Sequence, residues 1–189
     1  MTSDQFQVAL ICGSVREGRF GPTVTSWMGS HIDDHPEMKL DTIDLADFPI
    51  ALDHSASPAL DALSARLESA DAFVIVTPEY NHSYPASLKL AIDSTGPEWR
   101  AKPIGFVSYG AISGGLRAVE HLRPVLAELR AVTIRETVSL PQYWQSVTAE
   151  NTLNLAPSVN EAARAMLDEL SWWSKALRHP RNTTPYPNA

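Results

Sequence analysis

The chain has 189 residues, of which 44% are hydrophobic and 20% are charged, so it is long enough for a domain with a sizeable core. Its formal net charge of −7 argues against nucleic acid or an anionic membrane as the main partner. A single cysteine, Cys12, excludes an internal disulfide and a cysteine-based metal cluster. No apolar run has the length of a membrane span, and the polar residues 1–5 lack the basic segment of a signal peptide, which predicts a cytoplasmic protein.

Hydrophobic patterning predicts five strands that alternate with five helices. The predicted strands cover residues 6–12, 38–45, 71–77, 102–108 and 131–135. The predicted helices cover residues 22–32, 60–67, 85–94, 116–130 and 158–177. Ser83 is expected to cap the third helix and Pro85 to lie in its first turn, whereas Pro124 is expected to kink or interrupt the fourth. Residues 137–154 are expected to be irregular.

This alternation is typical of a doubly wound α/β fold. We expect a five-stranded parallel sheet in the order 2-1-3-4-5, with helices on both faces. One domain over residues 1–178 accounts for the pattern, because no loop has the composition of a linker. Residues 179–189 are expected to form a mobile tail.

The loop after the first strand, residues 13–19, has the groups that hold a phosphate. Gly13 lets backbone N–H groups turn toward an anion, and the following helix adds its positive end. Ser14 offers a hydroxyl group, and Arg16 and Arg19 offer charge-assisted hydrogen bonds. The glycine spacing fits neither a Walker loop nor the dinucleotide-binding fingerprint. An ordinary turn with two solvated arginines is the alternative.

Two further loops follow the third and fourth strands. Residues 77–85 are rich in polar, aromatic and proline side chains, and residues 108–115 contain glycines that let the backbone approach a flat ligand. Each could be a simple connector. Strands one, three and four are neighbours around the switch point of the predicted sheet, where ligands of such folds bind. Together the three loops would fit a phosphorylated aromatic cofactor.

The same residues resemble the NADPH-dependent FMN reductase family of flavodoxin-like flavoproteins. The resemblance rests on three motifs over residues 6–135, namely Gly13-Ser14-Val15-Arg16, residues 78–89 and Gly114-Gly115-Leu116-Arg117-Ala118. Arg19 and Gly21 stand where many members have Ser and Asn, and Leu90 stands where many have Asn. The resemblance implies the flavodoxin-like three-layer fold.

It also implies FMN as cofactor and NADPH or NADH as co-substrate. The residues implied to bind FMN are Ser14, Arg16, Arg19 and Phe20 at the phosphate, Pro78, Glu79, Tyr80 and Asn81 at the ring and ribityl chain, and Ser108, Tyr109, Gly110 and Gly114 at the other edge. Hydride would pass by a ping-pong cycle from the nicotinamide through FMN to a small-molecule acceptor such as a quinone, free flavin or azo dye, with no catalytic side chain and no metal. Family members form homodimers or homotetramers through the helices after strands three and four.

Several residue types that often carry chemistry are given other roles. Cys12 is expected to be a small core residue, and Glu79 to make a backbone contact or a salt bridge rather than to act as a catalytic acid. His82 could touch a substrate or partner, or make a structural hydrogen bond. Tyr143 and Trp144 are expected to be packing residues, with a place beside a neighbouring subunit's flavin as the alternative.

Two other functions stay open at this point. A flavodoxin-type electron carrier would bind FMN without oxidising a nicotinamide, and its flavin would stay oxidised when mixed with NADPH. A regulatory protein that kept the fold but lost the cofactor would be colourless and would refuse added FMN.

Overall fold

The computed structural model describes residues 5–184 and 186–187, and its five strands form one parallel sheet in the order β2-β1-β3-β4-β5. The predicted sheet and its order are confirmed. The strands are β1 (Phe6–Cys12), β2 (Met38–Asp44), β3 (Ala72–Pro78), β4 (Pro103–Gly110) and β5 (Val132–Pro141). The helices are α1 (Gly21–Asp33), α2 (Pro58–Ser69), α3 (Ala86–Asp93), α4 (Leu116–Glu128) and α5 (Pro157–Thr183). Within the described residues, no helix combines the length and apolar character needed to cross a bilayer.

The central strands are buried on both faces because helices cover both sides of the sheet. Every residue of β3 and β4 is buried. Alternate side chains enter two separate cores, since successive residues of a strand point to opposite faces. Val74 and Val76 pack in the core formed with α1 and α5, whereas Phe73 and Ile75 pack in the core formed with α2, α3 and α4. The fold thus has three layers, and its loops gather at the two ends of the strands.

The strand β5 is longer than expected. The sequence predicts a strand at 131–135 followed by irregular chain, but residues 137–141 continue to pair with β4 as far as Gly110 and Pro141. The register slips between Ile104 and Phe106, and Arg135 and Glu136 lie opposite this irregularity. Their backbone N–H groups donate to the Glu169 carboxylate on α5, at 3.3 and 2.7 Å. The two charged residues in mid-strand interrupt the apolar pattern, so the sequence predicted only the first part of β5.

The last helix also runs further than predicted. It ends at Thr183 rather than near residue 177, with Pro180 inside it, so residues 179–183 of the expected tail are helical. Arg181 donates to Asp71 Oδ1 at 2.9 Å and to the Ala101 carbonyl at 3.0 Å, which ties this end of the helix to the starts of β3 and β4. Residue 185 and residues 188–189 of the expected tail lie outside the described residues, as do residues 1–4.

Local expectations about the ends of three elements are corrected. Pro85 is the N-cap of α3 and lies before its first turn, and Ser83 Oγ, expected to cap the helix, instead lies 2.9 Å from His121 Nδ1. Pro124 does not interrupt α4, which is continuous through it, and the kink expected as the alternative stays a prediction. The strand β4 continues through Tyr109 and Gly110, which the sequence assigned to a loop.

Candidate functional site

The carboxyl ends of β1, β3 and β4 surround a cleft of about 390 Å³. The strand β1 lies between β2 and β3, so the cleft is at the switch point of the sheet, where ligands bind in such folds. The lining residues are Arg16, Glu17, Gly18, Arg19, Phe20, Pro78, Glu79, Tyr80, Tyr109, Gly110, Ala111, Tyr143 and Trp144. The three loops that the sequence singles out therefore meet at one place.

Most of the predicted site residues line this cleft directly. They are Arg16, Arg19, Phe20, Pro78, Glu79, Tyr80, Tyr109 and Gly110. Ser14, Asn81, Ser108 and Gly114 are not among the lining residues. These four lie behind the walls or beside them, and their contacts indicate support of the cleft.

The supporting roles differ. Ser14 is fully buried and its Oγ lies 3.3 Å from the hydroxyl of Tyr109, which holds that ring at the cleft. Ser108 Oγ donates to the Gly114 carbonyl at 2.8 Å, so the glycine loop is bound to the strand it leaves. Asn81 has a φ of 48° and opens a tight two-residue turn, since Tyr80 and Ser83 exchange backbone hydrogen bonds at 2.8 and 3.1 Å across it.

The two arginines of the first loop are in different electrostatic states. Arg19 forms a two-pronged ion pair with Asp44, with N–O distances of 2.6 and 2.7 Å, and also donates to the Ser14 carbonyl. The hydrogen bond to Asp44 raises the pKa of Arg19 above its ordinary value. Arg16 is exposed, and its guanidinium lies 4.9 Å from the centroid of the Tyr80 ring. In the described part of the chain Arg16 has no carboxylate partner, so Arg16 is the arginine with charge to offer an anion.

Glu79 makes the salt bridge that the sequence predicts. Its carboxylate pairs with Arg117 at 2.8 Å and accepts from Ser113 Oγ at 2.7 Å. Burial, the largest single influence, acts to raise the pKa of Glu79, but the hydrogen bonds from Ser113 and Arg117 together outweigh it, so the pKa lies below its ordinary value. Glu79 thus stays ionised and fastens the β3 loop to the start of α4.

Replacing Glu79 with glutamine is expected to lower the free energy of unfolding by about 1–2 kcal/mol at pH 7, because hydrogen bonds to a charged group are lost. A lowered folded-state pKa means that this stabilisation is present above the unfolded-state pKa and is lost as the pH falls through the folded-state pKa. The difference between parent and variant should therefore shrink below about pH 4.5, the ordinary value. Urea unfolding at pH 7, 5 and 3.5 measures it. Glu120→Gln on α4, with a carboxylate that is 74% exposed, is the matched control and should change little.

Tyr143 and Trp144, which the sequence did not place in this chain's own site, line the cleft. Tyr143 stacks on Phe20 with ring centroids 4.4 Å apart, and it contacts Tyr109 edge-on at 5.2 Å. The packing role expected for Tyr143 is confirmed, since its ring packs against the core beside Phe20 and Tyr109. Both residues also line the cleft of their own chain. Their position follows from the full length of β5, because the strand ends at Pro141 and so places residue 142 at the carboxyl ends of the strands. Burial raises the pKa of the Tyr109 hydroxyl, which keeps that wall of the cleft neutral.

The cleft fits a flat ligand with an anionic end. The aromatic rings of Phe20, Tyr109 and Tyr143 close one side, and the exposed guanidinium of Arg16 lies on the rim. A Cβ added to Gly110 would come within 3.1 Å of the backbone nitrogen of Gly115 and 3.5 Å of the Glu79 side chain, so any larger residue there would press on the glycine loop that borders the cleft. These features are the ones that a phosphorylated flavin requires.

The sequence profile described as NADPH-dependent FMN reductase matches residues 6–145 of the chain. The chain belongs to this family. Every residue that lines the cleft falls within the matched range. The family therefore covers the candidate site as a whole and not a neighbouring part of the fold.

Individual relatives agree with the family. The chain is 32% identical to the NAD(P)H-dependent FMN reductase LOT6 of Saccharomyces cerevisiae, over 84% of this chain and 98% of the yeast protein. It is 32% identical to a quinone reductase of Escherichia coli K12, over 71% of this chain and 76% of that protein. Among solved structures it resembles FerB of Paracoccus denitrificans, a flavoenzyme NAD(P)H:(acceptor) oxidoreductase, with a TM-score of 0.74 at 20% identity over 91% of this chain and 98% of the other. That last likeness concerns the fold.

A larger cavity, of about 500 Å³, lies at the opposite end of the strands, where β3 and β4 begin. Its buried charges already have partners. Lys102 donates from Nζ to the carbonyls of Leu67 and Glu68 at the end of α2, and burial lowers the pKa of Lys102 to about 8. Arg181 pairs with Asp71. These contacts fasten α2 and α5 to the sheet, so the smaller cleft at the strand ends is the candidate site.

The other residues considered from the sequence take no part in the cleft. Cys12 is buried at the end of β1, as expected of a core residue, and burial raises the pKa of its thiol. His82 is exposed in the turn after Tyr80, and its ring lies 6.2 Å from that of His121. Among residues 5–184 and 186–187, no group of three or more His, Cys, Asp and Glu side chains is arranged to hold a metal ion.

Proposed function

We propose that this protein is an FMN-dependent NAD(P)H oxidoreductase that reduces a quinone, flavin, azo compound or similar small molecule. The observation that carries the proposal is the cleft at the carboxyl ends of β1, β3 and β4, in which Arg16 and three stacked or edge-on rings meet within the range matched by the FMN reductase family. The quinone reductase among its relatives supports a quinone as one acceptor.

The residues present have separate tasks toward the cofactor. Arg16 binds the phosphate by a charge-assisted bond, while Arg19, held by Asp44, shapes the loop that carries Arg16. The segment Pro78–Tyr80 and the strand end at Tyr109 and Gly110 border the ring, and Tyr143 with Phe20 excludes water from one side. Bound FMN supplies the two-electron chemistry, so no side chain has to act as a catalytic acid or base.

The overall reaction balances without a further reactant. NAD(P)H gives up two electrons and one proton, and solvent gives a second proton, so that a quinone becomes a hydroquinone and NAD(P)+ is released. The two substrates use the cleft one after the other in a ping-pong cycle. Both NADH and NADPH are proposed co-substrates, and the cytoplasm, where both are available, is the proposed location.

The deciding experiment mixes the FMN-loaded protein with NADPH or NADH under anaerobic conditions while the flavin absorbance is followed. We expect the flavin band to bleach and to return when a quinone is added. An electron carrier would keep an oxidised flavin after mixing, and a protein that has lost the cofactor would remain colourless after incubation with FMN. Steady-state rates against a panel of acceptors with both nucleotides then rank the substrates.

The proposed assembly is a homodimer that can pair into a homotetramer. Most apolar residues of α4 face the core, where Val119, Leu122 and Leu126 are buried. Apolar surface remains at Leu116, which is 49% exposed, and at the neighbouring Ile112. A second area is the groove beside α3, lined by Val15, Leu45, Phe48, Ile50 and Leu90 among others. These areas are the proposed contacts between copies.

Light scattering at micromolar concentration is expected to return at least twice the mass of one chain, 20.7 kDa. Leu116→Lys and Leu90→Lys should shift the mass toward the monomer if these surfaces hold the copies together, because each places a charge in an apolar contact. A monomer mass for the parent protein would contradict the proposed assembly.

A further inference from the structure

The turn after β5 is built into the wall of the cleft. Gln142 has a φ of 48°, and its backbone N–H donates to the carbonyls of Gly110 and Ala111 at 2.9 and 3.0 Å. Gly110 and Ala111 both line the cleft. The short helical turn Tyr143–Ser146 that follows is therefore held at a fixed place relative to the end of β4. Side chains of this turn are positioned by the sheet rather than by a free loop.

The two aromatic residues of this turn have different surroundings. Tyr143 is the inner ring, because Phe20 covers one of its faces and Tyr109 meets it edge-on. Trp144 is the outer ring, since it contacts Tyr143 edge-on at 5.3 Å and an interplanar angle of 75°, and it remains 51% exposed. Half of the Trp144 surface is thus open to solvent. The cleft therefore has a partly exposed aromatic ring among its lining residues.

Exposure alone does not give Trp144 a role, because Trp172 on α5 is 63% exposed and pairs edge-on with Trp173. The difference is position, since Trp144 lines the cleft and Trp172 does not. Of the charged residues that line the cleft, Glu79 is paired with Arg117 and Arg19 with Asp44. Arg16 and Glu17 form the charged rim on the side of the first loop.

We propose that Trp144 selects the electron acceptor by stacking flat aromatic molecules, such as naphthoquinones, at the mouth of the cleft. The inference rests on the proposed oxidoreductase function and names the acceptor class that the cleft favours. Stacking on an indole face favours planar, weakly charged rings, because it gains dispersion and quadrupole attraction without needing a hydrogen-bond partner. Trp144 is then a specificity-determining residue that takes no part in the transfer of electrons or protons.

The test compares a planar acceptor with a compact inorganic one. Kcat/KM is measured for a naphthoquinone and for ferricyanide with the FMN-loaded parent, Trp144→Ala, Trp144→Phe and the control Trp172→Ala. Trp144→Ala should lower kcat/KM for the naphthoquinone on the order of tenfold, mainly through a higher KM, because the ring contact and the apolar area that it buries are lost. The ferricyanide value should stay within about twofold, Trp144→Phe should recover most of the loss, and Trp172→Ala should match the parent. Equal losses with both acceptors, or no loss with either, would overturn the proposal.

A binding measurement separates this inference from the proposed function. Calorimetric titration of the naphthoquinone into the FMN-loaded protein, without any nicotinamide, reports acceptor binding directly. Binding that weakens on the order of tenfold in Trp144→Ala but not in Trp172→Ala supports the stacking role even if the parent fails to oxidise NAD(P)H. Unchanged binding in Trp144→Ala rejects the role, whatever the activity of the parent.

Discussion

Replacing Gly115 with alanine is expected to lower the free energy of unfolding by about 2–5 kcal/mol, the sum of left-handed backbone strain and overpacking. Gly115 has a φ of 88°, and a Cβ there would lie 2.7 Å from the Cβ of Ser108 and 2.8 Å from the backbone nitrogen of Tyr109. Both atoms belong to the fully buried strand β4, so neither can withdraw without disturbing the sheet. Urea unfolding followed by circular dichroism measures the change.

Gly18→Ala provides the matched control. Gly18 also has a positive φ, 64°, but an added Cβ would have no atom within 4 Å. Gly18→Ala should lower the free energy of unfolding by the backbone strain alone, about 1–2 kcal/mol. If both variants lose the same stability, the close approach of Gly115 to β4 is not the cause. Gly114→Val is expected to disturb the end of β5, because a Cβ there would collide with Ser139 Oγ and the backbone nitrogen of Pro141.

Replacing Arg16 with alanine is expected to weaken FMN binding by roughly 10- to 150-fold, while riboflavin binding hardly changes. A charge-assisted hydrogen bond contributes about 1.5–3 kcal/mol, and about 1.4 kcal/mol is a factor of ten. We expect Arg16 to bind the phosphate because it is exposed at the cleft and has no carboxylate partner among the described residues. Riboflavin lacks the phosphate, so the comparison isolates the charged contact. Fluorescence-quenching titrations with both ligands measure it.

The controls follow from the different states of the arginines. Arg16→Lys keeps the charge and should retain part of the FMN affinity, and Arg164→Ala, an exposed arginine on α5, should leave both affinities unchanged. Arg19→Ala is expected to weaken FMN and riboflavin together, because it leaves Asp44 unpaired and releases the loop from the Ser14 carbonyl. A parallel loss of both ligands in Arg16→Ala would show that Arg16 shapes the loop and does not contact the phosphate.

The sheet was predictable from sequence because its central strands are buried on both faces and therefore read as short apolar runs. The strand β1 was predicted with its observed bounds, and β3 and β4 within two residues at each end. The length of β5 was not predictable, since Arg135 and Glu136 interrupt the pattern and their backbone groups are satisfied by Glu169 far along the chain. The end of α5 was missed for a similar reason, because the Arg181–Asp71 contact offsets the cost of Pro180 and joins residues 110 positions apart.

The candidate site was predictable where it depends on local sequence and not where it depends on register. The loops after β1, β3 and β4 carry their polar and glycine residues in consecutive runs. The partner of Arg19 could not be found in this way, because Asp44 reaches the first loop only through the pairing of Cys12 with Asp44 at the end of β1 and β2. The place of Tyr143 and Trp144 in the wall of this cleft could not be predicted, because it depends on the length of β5.

The irregularity in β5 also bears on how the protein keeps from aggregating. The strand is the last in the sheet, and an open strand edge is a template on which another chain can add. At Arg135 and Glu136 two backbone N–H groups that could recruit such a chain already donate to Glu169. The Arg135 side chain, 86% exposed, adds a charge at the same point. The residues that break the apolar pattern of the strand thus make the middle of this edge strand a poorer template for another chain, and Glu169 is the residue that satisfies both N–H groups.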